Sequence, residues 1–157
     1  MAKKGAPVQR WGYVFFEENG NAPARDWLLD QPASVRKMML DTLDYIVAAQ
    51  TPPRAFLPNR WASMKDLPGI DMSSYHEARD KDDITLYRLF CRFDSSAQST
   101  KLGAPVLVIL DGRTKRVGSK LALVEYQVVK NLWPRYYQPV RRCTPVEYPP
   151  IQVKARP

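Results

Sequence analysis

The residues with the most chemistry in this chain are arginines and lysines at alternate positions of extended segments. In ITLYRLFCRFD (84–94) strand parity puts Arg88, Phe90 and Arg92 on one face with Leu86, and Tyr87, Leu89, Cys91 and Phe93 on the other. In YHEARD (75–80) Tyr75, Glu77 and Arg79 share a face, and across a regular hairpin Arg79 joins Arg88. Lys65 shares a face of WASMKDL (61–67) with Trp61 and Ser63, and PVLVILDG (105–112) runs out into Arg113, Lys115 and Arg116. A sheet face with guanidinium groups around an aromatic ring suits RNA: phosphates take the cations, and an unstacked base lies on the ring. A solvated face of a one-sided sheet is the commoner source of such a pattern, and the pattern alone favours it.

Those segments need a frame. WGYVFFEE (11–18) reads as a strand and ENGN as a turn. PARDWLLD (23–30) reads as a short helix, with Asn21 near its start as a cap and Pro23 in its first turn. After Pro32, the spacing of Val35, Met38, Met39, Leu43, Ile46 and Val47 predicts an amphipathic helix that ends before Thr51-Pro52-Pro53. Four strands follow at 61–67, 75–80, 84–94 and 105–112, the second and third joined through a KDD hairpin. A last helix is expected over 119–133, with Ser119 as cap, Leu121, Val124, Val128 and Leu132 on one face, and Trp133-Pro134 as the stop. This order predicts an α+β fold with a mostly antiparallel sheet. The divisions expected are a loose segment 1–10, one domain over 11–138 and a proline-rich basic tail over 139–157.

The chain has 157 residues, one domain's worth, and 45% hydrophobic residues, enough for a core without a metal or disulfide staple. No apolar run approaches the ~20 residues of a membrane span, and MAKKGAPVQRW lacks the apolar stretch of a secretory signal. Cys91 and Cys143 form no CxxC and there is one histidine, so no zinc set exists; a reducing, cytoplasmic setting is expected. The net charge is +8, and residues 113–157 hold 10 basic against 2 acidic side chains. Such a field attracts polyanions.

The ordered set WGYVFFEENGNAPARDWLLDQP, MKDL, YHEARD, LYRLFCRFD and LVILDGRTK resembles the HigB-like (phage-derived) branch of the RelE/ParE toxin superfamily over residues 11–133. The resemblance implies a small twisted antiparallel sheet, two N-terminal helices packed on one face and a C-terminal helix, as in microbial ribonucleases. It implies the toxin of a type II toxin-antitoxin system that cleaves mRNA on the ribosome. The implied partners are a cognate helix-turn-helix antitoxin, the ribosome and mRNA, with no cofactor, metal or membrane. Residue by residue, Lys65 matches the lysine-leucine strand, Arg79 the E-apolar-R arginine, Arg88 the YR arginine and Lys115 the first lysine of xKK, with Arg116 in place of the second. The family's aromatic before xKK is replaced by Arg113-Thr114, and its C-terminal Tyr or His has three candidates here: Tyr126, Tyr136 and Tyr137.

Metal-free RNA cleavage uses the substrate's 2′-hydroxyl as nucleophile. It needs a base for that proton, cations for the phosphorane and an acid for the leaving 5′-oxygen. The resemblance makes Arg79 and Arg88 the fixed field, Lys65 or Lys115 the proton-transfer groups, and Arg92, Phe90, Arg113 and Arg116 the RNA contacts. Three features are set aside. His76 falls on the core face, Asp80, Asp82 and Asp83 read as a turn, and GRTKRVGSK has the wrong spacing for a phosphate loop. Two alternatives stay open: a gyrase-poisoning ParE-like toxin, and a catalytically degenerate binding module of the same fold.

Overall fold

The computed structural model describes residues 10–144. Its strands are β1 (Gly12–Phe15), β2 (Trp61–Ser63), β3 (His76–Lys81), β4 (Thr85–Asp94) and β5 (Val106–Arg116); its α-helices are α1 (Pro23–Leu29), α2 (Ala33–Ala48) and α3 (Leu123–Tyr136). One sheet runs in the order β1-β5-β4-β3-β2. The α+β class is as expected. The sheet is mostly antiparallel, as the element order predicts, and it departs from the antiparallel sheet that the resemblance implies at one edge: β1 lies parallel to β5, and the other three pairs are antiparallel. The cause is burial on both faces of both strands. Tyr13 and Phe15 pack toward one side of the sheet and Val14 and Phe16 toward the other, as do Leu107 and Ile109 against Val106 and Val108.

Helices α1 and α2 cover the first face, over Tyr87, Leu89 and Cys91. Helix α2 buries Val35, Met39, Leu43, Ile46 and Val47 as the spacing predicts, adds Leu40, and leaves Met38 half-buried. Asn21 does not cap α1; Ala22 holds the N-cap position, and Asn21 exchanges backbone bonds with Glu18 across the turn. Trp27 of α1 lies flat on β5 where Gly112 leaves room; a Cβ there would sit 2.3 Å from the indole.

The second face was expected to be open, and it is not. Helix α3 covers it with Tyr126, Val129, Leu132 and Tyr136. This is one stripe over from the expected Leu121, Val124, Val128 and Leu132, so Val124 and Val128 point to solvent. The helix starts at Leu123, not Ser119, and runs through Pro134. Proline cannot donate to the Lys130 carbonyl, and the Tyr75 hydroxyl comes to 3.5 Å of that oxygen instead.

The chain stays tied down past 138, where a loose tail was expected. Arg141 reaches Asp94, and residues 142–144 line the outer edge of β1 through Glu17 N–H to Arg142 O and Thr144 N–H to Phe15 O, both 3.0 Å. The expectations for residues 1–9 and 145–157 lie outside the described residues. Among the described residues no helix is long and apolar enough to cross a membrane.

Candidate nucleic-acid interface

Sheet register builds the site. Arg79 of β3 faces Arg88 of β4, which faces Arg113 of β5; one step outward, Lys81 faces Leu86, which faces Lys115. A bulge in β5 sets this up. The register slips between Phe90 and Cys91, so Leu110 and Asp111 both lie toward α3, and Arg113 and Lys115 follow Asp111 onto that face. Without the extra residue they would point at α1.

Like charges in a cross-strand row repel, and carboxylates divide this row. Arg88 Nε donates to Glu77 Oε1 at 2.7 Å and Nη2 to the Tyr126 hydroxyl at 3.0 Å. Its guanidinium lies 5.1 Å from the Phe90 ring centre, and the residue is 7% exposed. Burial alone would lower its pKa; Glu77 and Tyr126 outweigh that and raise it. Arg113 donates to Glu125 and pairs with Asp111, both at 2.7 Å. Arg88 and Arg113 are therefore internal braces under α3, and Phe90 is fully buried. Arg88 and Phe90 are closed to RNA, contrary to the expectation, and the half-buried Arg113 is taken up by its two carboxylates.

Arg79 is different. Its nearest carboxylate oxygen, Glu77 Oε2, is 3.8 Å away, and its buried Nε has no hydrogen-bond partner. It opens onto a groove of about 620 Å³ lined also by Arg60, Lys81, Leu86 and Lys115, with Asp80 as the acid among the lining residues. Lys115 Nζ donates to the Ser119 carbonyl, which points it along the groove rim. Arg60 arrives because its carbonyl accepts the Arg79 N–H at 2.8 Å, extending β2 past its formal start. Arg60 and Lys81 were not singled out from the sequence. Lys81 had the right parity two residues past Arg79; nothing local marked Arg60.

The other expected residues lie elsewhere. Lys65 is exposed beyond the far end of β2, five residues and ~17 Å along the chain from Arg60. Arg92 is six positions along β4 from Leu86, ~20 Å away, under Trp133. Arg116 is exposed at the end of β5. Of the three tyrosines, Tyr126 touches the arginine row through Arg88. Tyr136 is buried and donates to Asp94 at 2.6 Å; burial and that carboxylate push its pKa far up, so it is no base. Tyr137 lies beside Ser96, at the Arg92 end. His76 packs on the α1/α2 side as expected, stacked 5.2 Å from Trp61, and burial lowers its pKa. Asp82 closes the hairpin turn by accepting from Ile84 and Thr85 N–H groups. Among the described residues no cluster of His, Cys, Asp or Glu could hold a metal.

Compared with protein-family models, with curated proteins and with solved structures, the chain matches none.

Proposed function

We propose that this protein binds single-stranded RNA through the Arg60–Arg79–Lys81–Lys115 groove and acts as a translation-inhibiting toxin that cleaves mRNA on the ribosome. One observation carries the reading: four cations, two from β3, one from β5 and one from the segment entering β2, converge on one open groove, and the nearest carboxylate oxygen to Arg79 is 3.8 Å away. Phosphates bind such clusters of cations, and a fixed cationic field is what a pentacoordinate phosphorane needs. In the step this implies, the 2′-oxygen bonds to phosphorus as the bond to the 5′-oxygen breaks. The 2′-hydroxyl proton leaves to a base and the 5′-oxygen gains one from an acid. Lys81 and Lys115, either side of Leu86, are the groove's proton-transfer groups. The ribosome supplies the remaining orientation. The antitoxin partner and the cytoplasmic setting belong to the same proposal.

A second reading, a non-cleaving binding module of the same fold, is favoured by one feature: Arg88, the arginine expected at the centre of the site, is spent on Glu77. Induced expression in bacteria separates them. The toxin reading expects growth arrest with protein synthesis falling before DNA synthesis, and loss of both effects in R79Q. Unimpaired growth at high expression of folded protein supports the module, and DNA synthesis failing first supports gyrase poisoning.

A further inference from the structure

At the other end of the α3-covered face, a second pocket of about 400 Å³ lies between the end of β4 and the end of α3. We propose that it is a subsite for one unstacked nucleotide of the same RNA strand, its phosphate on Arg92 and its base against Trp133 and Tyr137. This rests on the RNA reading above.

Arg92 is the first reason. Its guanidinium lies 4.3 Å from the Trp133 ring centre and 5.0 Å from that of Tyr75, and among the described residues no carboxylate is within ion-pair distance of it. A guanidinium placed over aromatic rings, with the Tyr75 hydroxyl as a neutral neighbour, keeps its charge for an incoming anion. Asp94, the acid in the pocket, does not cancel that charge. It is buried and taken up by Arg141 Nε at 2.9 Å, the Tyr136 hydroxyl at 2.6 Å and the Ser96 hydroxyl at 2.8 Å.

The second reason is the wall. Trp133 and Tyr137 stack at 5.3 Å and 25° between planes, and Tyr137 is 45% exposed. The Arg141 guanidinium lies 4.1 Å from the Tyr137 ring centre, a second cation beside the aromatic surface. Ser96 Oγ, whose proton goes to Asp94, accepts from the Tyr137 hydroxyl at 2.9 Å, which leaves the Tyr137 oxygen as an acceptor for a base edge or ribose. Aromatic rings beside arginines are the usual platform for unstacked bases, and the volume suits one nucleotide rather than a duplex.

The test uses the full chain, a labelled 12-nucleotide single-stranded RNA followed by anisotropy, and adenosine monophosphate followed by tryptophan fluorescence. R92Q and Y137A should each weaken the RNA about tenfold. Adenosine monophosphate should quench the wild type and the groove variant R79Q/K115Q, but neither pocket variant. Arg92→Lys, which keeps charge but not the planar stack, stands in if R92Q melts early. Wild-type RNA affinity in R92Q and Y137A, with loss only in R79Q/K115Q, overturns the subsite and leaves the groove reading standing. Loss in the pocket variants with none in R79Q/K115Q supports the subsite and overturns the groove.

Discussion

Glu77 stands between Arg79 and Arg88, which face each other across β3 and β4, and it favours one of them: 2.7 Å to Arg88 Nε against 3.8 Å to Arg79 Nη1. Arg88 thus belongs to the fold and Arg79 to the groove. Removing Arg88 strands a buried carboxylate, so Arg88→Ala should cost about 3–5 kcal/mol in urea denaturation. The double variant Arg88→Met/Glu77→Leu should recover most of that loss. An Arg88→Ala protein as stable as wild type but inactive would move Arg88 back to catalysis.

RNA binding should depend on salt through the groove cations. For single strands each neutralised phosphate contributes about 0.7 to the slope of log affinity against log salt. Arg79→Gln and Lys115→Gln should each lower the slope by about that amount, while Lys65→Gln, at the far end of β2, should leave it unchanged. Equal slopes for all three would remove the groove from the interface.

Gly112 is required by Trp27 rather than by its own backbone. A Cβ would sit 2.3–2.7 Å from indole carbons that are also held by the Trp27 Nε1 bond to Thr114. Gly112→Ala should destabilise by about 1–3 kcal/mol through overpacking. Thermal melts of Gly112→Ala alone and with Trp27→Leu check this: the second change should relieve the first.

The expected division at residue 138 cuts through a brace. Burial alone would raise the Asp94 pKa, but Arg141, Tyr136 and Ser96 hold it below the usual carboxylate value. A chain ending at 138 loses Arg141; one ending at 144 keeps it. The shorter chain should melt several degrees below the longer one, and equal melting points would refute the brace. Asp94 also ties stability to acid: the contribution is complete above its unfolded value near 3.9 and is lost as pH falls through the lower folded one.

His76 supplies a second pH dependence. Half-buried against Trp61 and Phe93, with Nδ1 buried and unpartnered, it is held below the ordinary histidine value by desolvation. Between folded and unfolded pKa the unfolded chain carries more protons, so stability should decline as pH drops below about 6.5. His76→Phe should flatten that segment of the curve; an unchanged slope would assign it to other groups.

The strands and helices were legible because alternation and the 3–4 spacing report burial directly. Alternation puts Arg79 beside Arg88 on one face for the same reason, as the register has it; it assigns Lys115 no face. Three things escaped. The bulge at Leu110 reverses side-chain parity with no signal in LVILDG. The cover of α3 over Arg88 and Phe90 depends on which stripe of an evenly apolar helix turns inward. Arg60 enters the groove through a backbone bond to Arg79, which side-chain patterns do not encode.

The most direct test of the central claim is primer-extension mapping of mRNA incubated with purified protein, with and without bacterial ribosomes, for wild type and R79Q. The proposal predicts cuts that appear only with ribosomes and disappear in R79Q, while R79Q melts like wild type. Ribosome-dependent cuts that survive in R79Q, or none from folded wild-type protein, would contradict it.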